Sequence, residues 1–222
     1  MIVLMKKYLD HRLAAVTSFA ACMAMVVAAG GCVAGSSTKV NIADVPGQAP
    51  GQSTPINVEP TKFDRGKETY RIYSAILDHK WNNGSIVVRG RTDRGLFQND
   101  EWLENNVGKS YPEAVGDFKT ANDKDVEIEN HFDYSGKIAL IDQQEFKKTI
   151  GGGDGWDSFR KGHPGASGIV TFSAVGFDRD GSHALVNVSY LCANHCGNGS
   201  FYILEKKNGE WAISQEIGTW MS

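Results

Sequence analysis

The chain has 222 residues, 41% hydrophobic and 22% charged, with 25 glycines and 4 cysteines, which is room for one ordinary domain and appendages. That composition excludes collagen-like, disordered and multi-pass membrane chains. A formal charge of −3, with no Lys/Arg run longer than two, excludes a nucleic-acid binder that relies on phosphate neutralisation.

Residues 1–31 carry Lys6, Lys7 and Arg12, then an apolar stretch closed by Ala28-Ala29-Gly30-Gly31. A positive start, an apolar middle and a small-residue exit predict an export signal. The alternative is a retained span, since the uncharged stretch 13–31 is just long enough to cross a bilayer. Its Ala, Gly, Ser and Thr content and its small-residue exit fit cleavage better. Ala29-Gly30-Gly31-Cys32 resembles the lipobox of bacterial lipoproteins, although Ala29 stands where Leu is usual. The resemblance implies that Cys32 becomes the first mature residue and is lipidated, and that acyl chains anchor it to a membrane. Val33 follows instead of an Asp, which in the enterobacterial sorting pattern implies the outer membrane.

Residues 33–63 are rich in Gly, Ser, Thr and Ala and hold four of the 6 prolines, with almost no large apolar side chains. Such a stretch cannot bury a core, so 32–63 reads as lipid anchor and flexible linker with a mean reach of roughly 30 Å. Residues 64–222 remain as a single globular domain. Loss of 1–31 removes three basic residues and one acid and leaves a charge of −5, further from nucleic acid and anionic lipid.

Within the domain, Tyr70, Tyr73, Ile76, Leu77 and Trp81 stand at helical spacing over 67–81, ended by Asn82-Asn83-Gly84. The β-branched run Ile86-Val87-Val88 predicts a strand over 85–92. A short helix follows over 100–107. Ser110 with Glu113 reads as a capping box opening a helix to about residue 121. Residues 137–141 read as a strand, and Asp142 with Glu145 caps a helix to 150. Glycines 151–153 break the chain before a further helical turn or two over 154–161. Four β-rich runs come last, over 169–177, 184–191, 201–206 and 211–218. Asp178-Arg179-Asp180-Gly181 and Asn208-Gly209 are hairpin signals between them, the latter suited to a type I′ turn. Helices followed by a four-stranded antiparallel meander define an α+β fold.

Cys192-Ala193-Asn194-His195-Cys196 is the most informative short motif. With Cys32 lipidated and Cys22 in the signal, Cys192 and Cys196 are the thiols left in an oxidising compartment, and even pairing there means a disulfide. A metal site lacks a visible fourth ligand, and a redox pair lacks a feature that lowers a thiol pKa. His163 in His163-Pro164-Gly165 could serve as a general base, against a plain reading as a rigid turn. Arg89 and Arg91 share a face of the early strand and could hold an anion. Asp123, Asp125, Glu127 and Glu129 alternate and could attract a cation or basic partner, though such patterns are more often solvated edges. Ser158 and Lys161 match a serine–lysine spacing without its partner motifs. No catalytic elbow, phosphate-binding loop, cofactor motif or metal motif is visible.

The C-terminal string resembles a pattern of uncharacterised exported bacterial proteins. Its elements are Pro164-Gly165 with Gly168, Phe172-Ser173-Ala174-Val175-Gly176-Phe177, Ala184-Leu185-Val186, Cys196-Gly197 with Gly199, Asn208-Gly209 with Trp211, and Trp220-Met221-Ser222. The resemblance supplies no catalytic residues. The expectation is a lipid-anchored envelope protein whose domain binds an envelope protein or small ligand, or supports assembly, without catalysis. The rivals are an envelope hydrolase built on His163, His195 and carboxylates, and a small-ligand carrier. Convergence of those histidines in a deep pocket favours the hydrolase, and dispersal with an apolar groove favours binding.

Overall fold

A computed structural model describes residues 63–95 and 99–222, all within the unit Asn57–Ser222. The expectations for residues 1–62, Cys32 included, lie outside the described residues. Asp64 accepts the Lys67 N–H at 3.1 Å and starts helix α1 (Arg65–Trp81), which Asn82 ends in the left-handed conformation. The helix buries Ile72, Tyr73, Ile76 and Leu77, one face at 3.6 spacing.

The strands are β1 (Ser85–Arg89), β2 (Lys137–Ile141), β3 (Ala166–Phe172), β4 (Gly176–Phe177), β5 (His183–Ala193), β6 (Cys196–Lys207) and β7 (Glu210–Met221). They form one sheet in the order β2-β1-β3-β5-β6-β7, with β4 also paired to β5. The expected antiparallel meander is present as β3, β5, β6 and β7. The expected four-stranded sheet is corrected to seven strands and a mixed sheet, because β1 lies parallel to both β2 and β3. Its Ile86, Val87 and Val88 are all buried, as a strand covered on both faces requires.

The single strand expected over 169–177 is split. Ser173 Oγ accepts the Asn187 N–H at 2.8 Å, and Asn122 takes both the N–H and the C=O of Ala174, at 2.9 and 3.0 Å. Those bonds satisfy the backbone where it leaves the ladder, so residues 173–175 form a break between β3 and β4. Asn208 and Gly209 have φ of 52° and 85°, the double left-handed turn expected between β6 and β7.

The remaining helices are α2 (Asp100–Leu103), which runs into a π-helical turn Glu104–Gly108, then α3 (Pro112–Ala121), α4 (Gln143–Ile150) and α5 (Gly155–Gly162). Asp142 caps α4 as expected, accepting the Glu145 N–H at 2.8 Å. The Ser110–Glu113 capping box does not form. Pro112 sets the first turn of α3, and Glu113 instead accepts the Arg179 N–H at 3.2 Å.

Alternating strand residues assign the layers. Ile86, Val88, Val186, Val188, Tyr202 and Leu204 pack under α1. Leu185, Phe201 and Ile203 face α2 and α3, while Val87, Ile141 and Ile169 face α4 and α5. Among the described residues, one helix thus covers one face and four cover the other. Glycines of the C-terminal pattern serve packing. A Cβ on Gly199 would stand 2.0 Å from the Trp220 Nε1 position, so the indole lies directly over that backbone.

Charged side chains fasten α1 to the meander. Glu68 accepts from Trp211 Nε1 at 2.6 Å and pairs with Lys206 at 2.9 Å and Arg71 at 3.2 Å. Glu216 accepts from Tyr202 Oη at 2.7 Å and pairs with Lys80 at 3.0 Å. Burial opposes ionisation of both carboxylates. For Glu68 the bonds from Lys206 and Trp211 and the nearby cations outweigh it, and for Glu216 the Tyr202 and Lys80 bonds do, so both pKa values fall below 4.5. A lowered folded pKa gives stability that is full above the unfolded value and lost as pH drops through the folded one. We therefore expect urea midpoints to hold from neutral pH to about 5 and to decline below it, less steeply in Glu68→Gln.

Candidate functional site

The break at 173–175 opens a cleft of about 480 Å³ beside it. The start of α1 supplies Arg65, Thr69, Tyr70 and Tyr73, and the end of α3 supplies Asp117, Thr120 and Ala121. Ala174 and Val175 form the floor, and Thr92 with residues 126–128 forms the outer wall. That wall is held by Thr92, whose N–H donates to Val126 O at 2.8 Å and whose Oγ1 accepts the Val126 N–H at 2.7 Å. Tyr73 is 2% exposed and donates its hydroxyl to Ser173 O at 2.7 Å. Burial drives its pKa far upward, so it remains a neutral donor. Tyr70 packs edge-on against Tyr73 and Phe132, and its hydroxyl accepts the Glu129 N–H at 2.8 Å.

Arg65 and Asp117 on the rim satisfy each other. Arg65 pairs with Asp117 at 2.9 Å and donates to Val175 O at 2.6 Å, its guanidinium 5.1 Å from the Phe177 ring. Asp117 also accepts the Phe177 N–H at 2.7 Å. What faces the cleft is therefore mainly apolar wall, from Tyr70, Ala121, Val126, Ala174 and Val175. Val126 is 53% exposed. This arrangement can hold an apolar group in a preformed hollow, the common geometry of small binding sites.

Of the residues singled out in the sequence, Glu127 lines the cleft, while the histidines, cysteines and arginines lie elsewhere. His163 Nε2 meets Glu145 Oε1 at 2.7 Å, joining the end of α5 to α4. Glu145 borders a hollow with Ser158, whose Oγ donates to Asp154 at 3.4 Å. His195 borders a different hollow with Trp156, Asp157 and Arg160. Residues 155, 158 and 159 of α5 line the first and 156, 157 and 160 the second, so the histidines do not converge. Cys192 and Cys196 lie at disulfide-bonding distance at the end of the β5–β6 hairpin, their Cα atoms 5.2 Å apart.

Arg89 and Arg91 do not share an exposed face. Arg89 is buried, bonded to Asp93 at 2.5 Å and twice to Gln143, with its guanidinium 4.3 Å from the Phe146 ring. It staples β1 to α4. Arg91 lies past the strand, half exposed and 3.6 Å from Asp125. Ser182, His183 and Asp178 bring a serine hydrolase's residue types together, but Ser182 Oγ and Asp178 Oδ2 both address His183 Nδ1, at 2.9 and 2.7 Å. A relay needs opposite ring nitrogens. Asp178 also accepts the N–H groups of Ser182 and His183, which locks the β4–β5 turn.

Sequence reasoning missed the cleft because its walls come from four separated segments. Its one local trace is Val126 and Ile128 set between acidic residues. Comparison with protein-family models, curated proteins and solved structures finds no match.

Proposed function

We propose that the protein is a lipid-anchored module of the bacterial cell envelope whose domain binds a partner or ligand without catalysis. The observation that carries the binding half is the preformed apolar cleft between α1 and α3, against histidines that stand apart, His163 on Glu145 and His195 in a hollow with Trp156 and Arg160. The envelope half rests on residues 1–31 as a lipoprotein-type signal followed by Cys32 as the lipid anchor, with the linker giving the domain reach from the membrane. A Cys192–Cys196 disulfide suits that compartment. Closing so short a loop adds about 2 kcal/mol, so it shapes the hairpin end more than it holds the fold.

Both halves are testable. Cys32→Ala should move the protein from the membrane to the soluble envelope fraction on cell fractionation, and unchanged membrane association refutes the lipid anchor. Nile red, a neutral apolar dye, should gain fluorescence with the full chain and lose about tenfold in affinity with Val126→Asn. His163→Ala with His195→Ala should leave that binding intact. The opposite pattern moves the site to the histidines.

A further inference from the structure

Residues 123–129, of which 126–128 line the cleft, carry four acidic side chains, Asp123, Asp125, Glu127 and Glu129, against one base, Lys124. Asp125 holds Arg91 at 3.6 Å and Glu129 meets His131 at 2.7 Å. Among the described residues, Asp123 and Glu127 have no basic partner, and Glu127 lines the cleft. An apolar hollow bordered by Glu127 and the acidic segment that carries it favours a group that is apolar at its centre and cationic at its flanks.

The backbone adds a direction. Glu127 bridges Arg91 in antiparallel fashion, with the Thr92 N–H on Val126 O and the Ile128 N–H on Gly90 O. In that register the N–H and C=O of Glu127 point away from residue 91. Residues two apart in an extended chain direct their amides to the same side. The Glu129 N–H on that side reaches Tyr70 Oη, at 2.8 Å, so the Glu127 amide is turned toward α1 across the cleft. An extended peptide laid there meets backbone hydrogen-bonding groups, an apolar hollow for one side-chain parity and carboxylates for the other.

We propose, on the basis of the binding reading above, that the occupant of the cleft is an extended segment of a partner protein in which apolar residues alternate with Lys or Arg. Anionic lipid headgroups and acidic peptides are repelled by the same carboxylates.

The test is calorimetric titration of the full chain with the peptide Lys-Val-Lys-Leu-Lys-Val-Lys, beside Glu-Val-Glu-Leu-Glu-Val-Glu and Lys-Ser-Lys-Ser-Lys-Ser-Lys. The first should bind at least about tenfold more tightly than either comparator and weaken as salt is raised. Glu127→Lys should weaken it about tenfold, and Val126→Asn should weaken both probes. Both positions are exposed, and unchanged thermal melts confirm that the variants fold. Equal binding of the acidic peptide, or indifference to Glu127→Lys, overturns the peptide inference. Nile red binding without peptide binding overturns it while leaving the cleft reading intact. Failure of both probes removes both.

Discussion

Gly176→Ala should destabilise the domain by about 2–3 kcal/mol and weaken binding in the cleft with it. A Cβ at that position would stand 2.4 Å from Ala114 O, 2.5 Å from Phe118 N and 2.6 Å from Phe118 Cα. All three are backbone atoms of α3 and cannot swing aside as a side chain could, so the helix must move outward. That displacement carries Asp117, Thr120 and Ala121, the α3 wall of the cleft, and pulls Asp117 from the Phe177 N–H it accepts at 2.7 Å. Gly116 on the same helix is the control. It is exposed, with nothing within 4 Å of an added Cβ. Gly116→Ala should therefore stabilise by about 0.5–1 kcal/mol, through helix propensity and a less flexible unfolded chain. Urea unfolding of the two variants beside the parent reads both effects. Equal midpoints refute the close packing of α3 on β4.

Glu68→Ala should cost about 3 kcal/mol, because it leaves three donors of one carboxylate without it. Trp211 Nε1 loses its acceptor at 2.6 Å, Lys206 its partner at 2.9 Å, and Arg71 keeps only Gly209 O and Glu210. The carboxylate is 10% exposed, so its partners are poorly replaced by water. Glu68→Gln retains an acceptor for the indole and should lose about half as much. If the alanine and glutamine variants unfold at the same denaturant concentration, the Trp211 bond contributes nothing.

The parts of this fold legible in the sequence are those determined by short-range chemistry. The apolar spacing of Ile72, Tyr73, Ile76 and Leu77, the Asp142 cap and the Asn208–Gly209 turn need only a few neighbouring residues to act. The Ser110–Glu113 box shows the limit of such rules. It is a valid local pattern, yet Pro112 and the long-range contact from Glu113 to Arg179 displaced it.

The parallel pairing of β1 with β2 and β3 joins residues more than 50 positions apart, such as Val87 with Ala139 and with Ile169. Its signal was present as unalternated apolar runs, Ile86-Val87-Val88 and Ile138-Ala139-Leu140-Ile141, the mark of strands covered on both faces. Arg89 was misread for the same reason. A charged residue ending a doubly covered strand is buried and needs internal partners, here Asp93 and Gln143. The cleft left only the local trace of Val126 and Ile128 between acidic residues. It exists because Asn122 and Ser173 satisfy a broken strand, which brings four distant segments to one hollow.

Amide chemical-shift mapping of the full chain during a Nile red titration locates the bound group directly. The account predicts the largest shifts at Tyr73, Thr92, Val126, Ile128 and Val175. Shifts centred instead on Glu145 and His163, or on Asn194, His195 and Cys196, would contradict it.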